Sequence, residues 1–181
     1  MLQITIPAAE MWDSRKREFV YTREQILQLE HSLVSISKWE SEWCKSFLFT
    51  EKKTYEESID YIRCMTLTQN VKPEIYNNLT NDNIEQINDY IKAPMTAATF
   101  SEDNRPRKNS TEIVTSETIY HWMIALQIPP EYQKWHLNRL IALIRFCEVK
   151  NQKPKKKSNA DIMAQNRALN AARRKQLNTK G

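Results

Sequence analysis

Only one glycine, Gly181, occurs among the 181 residues. Hairpins and helix ends that turn through the left-handed region ordinarily use glycine, so this chain favours helices, with Asn expected at the positive-φ turns. The same scarcity removes every glycine loop that cradles phosphate, from the Walker A loop to the dinucleotide fingerprint. Hydrophobic residues make up 40% of the chain and aromatic residues 9%. That is enough to bury a core within one compact domain.

Cys44, Cys64 and Cys147 lie far apart with no paired spacing, which suggests neither a zinc knuckle nor a disulfide framework. A reducing compartment is expected. "MLQITIPAAEMWD" lacks a basic segment followed by an apolar run, and no stretch approaches the length of a membrane span, so neither export nor a membrane location is expected.

Charge is unevenly spread. Residues 150–181 hold ten Lys and Arg against Asp161 alone, a net +9, so residues 1–149 carry −4 of the chain's +5. A mildly acidic body, 1–149, is expected to end in a basic, partly disordered helical arm, 150–181.

"LQITI" alternates apolar and polar residues until Pro7 stops it, and "EFVYT" at 18–22 is a second β-prone run, so the two are expected to form a small hairpin. Thr22 and Gln25 read as a capping box opening a helix of about 25 residues, with Ile26, Leu29, Leu33, Ile36, Trp43 and Phe47 on one face. Thr54 with Glu57 opens a second helix. Pro73 fits a short helical turn, Thr80 or Asn81 caps a helix with Ile84, Ile87 and Ile91 on one stripe, and Pro94 ends it. "MTAATF" and "TEIVT" flank a polar stretch and predict a second hairpin. The segments "TSETIYHWMIALQI" and "PPEYQKWHLNRLIALIRFCEVK" resume helical spacing, the latter as the central core helix with His136, Leu140, Leu143 and Cys147 on one flank and Leu137, Ile141 and Ile144 beside them. Ser158 and Asp161 stand in capping-box positions before the last helix. The fold class predicted is mainly α, a compact helical domain with one or two small β-hairpins.

His31, His121 and His136 sit in no metal or nucleophile motif, and no cofactor, metal or catalytic residue is expected. An enzyme would need His121, His136 and Cys147 to converge. Glu40, Glu42, Glu56, Glu57 and Asp60 read as solvated faces and helix caps. Trp39, Trp43 and Phe47 recur every four residues, Trp43 and Phe47 on the buried stripe and Trp39 at its exposed edge. With Trp122 and Trp135, which flank "QIPP", they are the candidates for contact with an apolar surface of another protein, core packing being the competing reading. The arm supplies Lys153, Lys155, Lys156, Lys157, Arg167, Arg173, Arg174 and Lys175 for an acidic surface or nucleic acid. No aromatic residue follows Phe146, so nucleic-acid binding there would be weak and non-specific.

Together "LQITIPAAEMWD", "LQLEHSLVSISKWESEWCKSF", "TSETIYHWMIALQIPPEYQKWHLNRLIALIRFC" and "RALNAARRKQLNTKG" resemble the tail assembly chaperones of siphophages. The resemblance implies a non-enzymatic protein in the cytoplasm of the infected bacterial host, absent from the finished particle. Such a protein binds the helical tape measure protein and keeps it soluble while tail tube subunits assemble around it. In that family a frameshifted longer form often recruits the tube protein. The resemblance supplies no binding residues, and self-association stays open. The competing reading is a basic-tailed virion structural or nucleic-acid-binding protein.

Overall fold

The computed structural model describes residues 1–13, 17–98, 113–151 and 159–177. The chain is mainly helical with two small antiparallel ladders. It divides into two compact units, Met1–Glu148 and Val149–Gly181.

Strands β1 (Leu2–Ile6), β2 (Ala9–Asp13), β3 (Glu18–Thr22) and β4 (Gln25–Leu29) open the first unit. β1 pairs with β4 and β2 with β3. The expected pairing of 2–6 with 18–22 is therefore corrected. The register that sets Ile6 opposite Gln25 resumes with Ala9 opposite Thr22, so the ladders are two halves of one long hairpin. The interruption falls at Pro7, which has no N–H to give the ladder. On the inner half Ile4, Ile6, Leu27 and Leu29 are buried and Ile26 is exposed, a period of two.

The helix expected from Thr22 is thus a strand followed by a shorter helix. α1 (Leu33–Trp43) starts at Ser32, whose side chain accepts from the Ser35 N–H while Ser35 Oγ accepts from the Ser32 N–H. That capping box sits ten residues beyond Thr22 because β4 is held at its other edge as well. The Leu67 N–H donates to Gln28 O at 2.7 Å and the Glu30 N–H to Met65 O at 2.9 Å. Ladder bonds on both sides outweigh the helix propensity that Leu and Gln give "QILQL".

α2 (Tyr55–Met65) opens with the Thr54–Glu57 box, a 3₁₀ turn covers Pro73–Asn78, and α3 (Asn81–Lys92) is capped by Thr80 with Asn83. Residues 95–98 and 113–115 are irregular; the rest of the predicted second hairpin lies outside the described residues. α4 (Ser116–Ala125), a 3₁₀ turn at Pro130–Lys134 and α5 (Leu137–Asn151) follow. Leu137, Leu140 and Ile144 of α5 join Leu33, Ile36, Trp39, Met65, Ile87 and Ile119 in the core. In the second unit α6 spans Asn159–Leu177, and its predicted cap at Ser158 lies outside the described residues.

Candidate functional site

Beginning α1 at Leu33 resets the helix face that sequence spacing assigned. Ile26 and Leu29 belong to the strand, so the buried stripe is set by Leu33, Ile36, Trp39 and Glu40. Trp39 is 0% exposed, its Nε1–H donating to Glu57 O at 2.9 Å. This corrects its placement at an exposed edge. Trp43, expected in the core, is half-buried at the helix end and donates from Nε1 to Asp60 Oδ2 at 2.9 Å.

Phe47 is buried, with its ring 4.0 Å from Tyr61 and 5.2 Å from Trp39. Lys53 closes the edge of this stack, its ammonium 4.1 Å from the Phe47 ring centroid, and burial lowers its pKa. Trp39 and Phe47 are therefore removed as client contacts. Truncating such a core aromatic costs about 3–5 kcal/mol of stability, so a charged substitution at Trp39 would test folding rather than binding.

Glu40, read as a solvated acid, is buried between two helices. Its Oε1 accepts the Phe47 N–H at 2.8 Å and its Oε2 the Ser116 N–H at 2.7 Å. A carboxylate inside the fold is tolerable because orphan backbone donors, one of them at the start of α4, receive it. Glu57 is also buried and pairs with Lys45 at 2.6 Å, whose hydrogen bond lowers the Glu57 pKa.

His136 lies against His31 rather than beside His121 and Cys147. His121 is exposed on α4, Cys147 is half-buried, and the neighbours of His136 are His31 and Tyr90. His31 and His136 are 2% and 6% exposed, with ring centroids 5.0 Å apart. His31 Nδ1 hydrogen-bonds the Tyr61 hydroxyl, and His136 Nε2 meets Tyr90 O at 3.0 Å. Burial, then the neighbouring His136, holds His31 down to about 3, and burial raises the Tyr61 phenol. Both groups are favoured in their neutral forms by burial in the core. The pair was missed because only the fold brings 31 and 136 together, through Leu137 N–H to His31 O at 2.7 Å. A local hint existed: His31 directly precedes an N-cap serine between buried leucines.

Trp122 and Trp135 are both half-buried. Trp122 packs against the core, whereas Trp135 stacks on Tyr132 at 4.2 Å with the Arg139 guanidinium 4.0 Å over its ring. Trp135, Arg139, Ala142, Leu143 and Phe146 on one side and Thr96 and Ala98 on the other line an open groove of about 190 Å³. That is below the roughly 300–1,000 Å³ of small-molecule sites. It suits side chains of a docked segment better than a cofactor. Leu143 and Phe146 were legible as helix residues; their place at a groove required the position of 96–98.

Lys153, Lys155, Lys156 and Lys157 lie outside the described residues. Arg167, Arg173, Arg174 and Lys175 stand exposed on α6. Among the described residues no group of three or more His, Cys, Asp or Glu could hold a metal ion, and no helix is long and apolar enough to cross a membrane. No family model, curated protein or solved structure matches the chain.

Proposed function

We propose that the protein is a non-enzymatic assembly chaperone of a tailed phage, acting in the cytoplasm of the infected host. It holds the tape measure protein soluble while tail tube subunits assemble around it. The observation that carries this reading is the groove along α5, where Trp135, Leu143 and Phe146 present apolar surface edged by Arg139. The segment resemblance to siphophage tail assembly chaperones supplies the client class. A tape measure helix exposes apolar stripes that aggregate unless covered, and a shallow apolar groove covers such a stripe reversibly. An aromatic anchor beside an arginine is also the composition of an interface hot spot.

Co-expression with the long helical protein encoded nearest downstream tests the reading, scored as soluble client that co-purifies. Arg139→Glu with Phe146→Asp, both at exposed positions of the groove, should reduce the retained client roughly tenfold or more, as loss of one hot spot of about 2 kcal/mol would, while circular dichroism stays unchanged. Full retention by the double variant would move the client site off this groove. No solubilisation by the wild-type chain would remove the chaperone reading.

A further inference from the structure

Beyond the last residues of α5, the described part of the second unit is one helix, α6, with an unusual surface. Every described side chain from Met163 to Leu177 is exposed, and that stretch contains no acid. Its cations Arg167, Arg173, Arg174 and Lys175 form no ion pair among the described residues. A helix of 19 residues with so little apolar content is marginal by itself. Its charge calls for a polyanion.

We infer that α6 is a DNA-binding helix that enters the major groove of a duplex. At about 100° per residue, Arg167 and Arg174 share one line, while Arg173, Arg174 and Lys175 fan across about 200° of the helix circumference. An acidic protein surface meets one side of a helix; a groove offers phosphates on both walls. The apolar residues argue the same way, because Asn166 and Arg173 interrupt the face that bears Leu169 and Leu177 and leave no continuous seam for a protein groove. Ala164, Ala168 and Ala171 lie along the Lys175 line, so on that side the helix is slim enough for its backbone to approach base edges.

The kind of nucleic acid follows from shape. The B-form major groove, about 12 Å wide, admits an α-helix, whereas the major groove of A-form RNA is too deep and narrow. Single strands are held largely by stacking on aromatic rings, and α6 has none.

Fluorescence anisotropy on the full chain tests this, with a mixed-sequence DNA duplex of two helical turns, the same sequence as duplex RNA and as single-stranded DNA, and polyglutamate. The DNA duplex should bind most tightly. Replacing Arg167, Arg173 and Arg174 by Gln should flatten the dependence of log K on log salt by roughly 0.9 per lost phosphate contact. Ala171→Pro, which breaks the helix at unchanged charge, should weaken duplex binding at least tenfold. Equal or tighter binding of polyglutamate, duplex RNA or single strands would overturn the inference. So would unchanged duplex binding by the proline variant, since the arm would then act as charge alone.

Discussion

Cys44 shows what a chain without internal glycine does at its turns. It ends α1 in the left-handed region, at φ 51° and ψ 36°, with its N–H donating to Glu40 O at 2.8 Å. Arg17, Asn70, Met95 and Gln127 also take positive φ. Asn was expected at such positions, and only Asn70 meets that expectation. The others carry the steric cost of a Cβ near the following carbonyl, on the order of 1 kcal/mol each. Cys44 is exposed, so its side chain contributes little packing in return. Cys44→Gly should therefore raise the free energy of unfolding by about 0.5–1 kcal/mol, read as a higher urea midpoint at constant slope. Cys44→Ala, which keeps the Cβ, should leave the midpoint where it is. A midpoint for the glycine variant at or below wild type would show that the left-handed cap carries no such cost.

At the scale of elements, local signals identified the helices that local signals govern. Thr54 with Glu57, Thr80 before α3 and Pro73 in its short turn mark boundaries through side chain to backbone bonds within one turn. The stretch 22–47 resisted the same reading because "QILQL" satisfies either period, and partners at 2–6 and 65–67 decide between them. Glu40 follows from that decision, since only the corrected face turns it inward to bridge α1, the turn at Phe47 and the start of α4. Hydrogen bonds to a charged acceptor contribute about 1.5–3 kcal/mol each. Glu40→Ala should cost about 3 kcal/mol, whereas Glu42→Ala on the exposed side should stay within about 0.5 kcal/mol. Chemical denaturation of the two variants makes the comparison, and equal small effects would mean the buried carboxylate does not tie α4 to α1.

Across the first unit, the polar cluster at His31 and His136 joins segments that sequence separates most widely. His31 follows β4 and meets Tyr61 of α2, while His136 precedes α5 and meets Tyr90 of α3. The Tyr90 hydroxyl in turn donates to Glu30 Oε1 at 2.8 Å, and the other Glu30 oxygen pairs with the Met1 ammonium at 2.9 Å. Nothing in either histidine's local sequence reports the other, which is why the cluster, unlike the capping boxes, could not be read residue by residue. Its physical consequence is a pH dependence of the whole fold. The folded state holds His31 at about 3, against 6.5 for the free side chain, and burial lowers His136 as well. Below 6.5 the unfolded chain binds protons that the folded chain refuses, so stability is fully present above that pH and is lost as pH falls toward 3. His31 alone accounts for about 2 kcal/mol between pH 7.5 and pH 5, and His136 adds in the same direction. Glu57, whose pKa is lowered by Lys45, contributes its own loss only below the ordinary carboxylate value of 4.5, outside the range from pH 7.5 to pH 5. Urea titrations from pH 7.5 to 5 should show this decline in the wild type. His31→Asn, which retains a group able to bond Tyr61 but does not titrate, should start from a lower stability at pH 7.5 and decline less. A wild-type curve that stays flat over this range, or an identical slope in the variant, would place the proton uptake elsewhere.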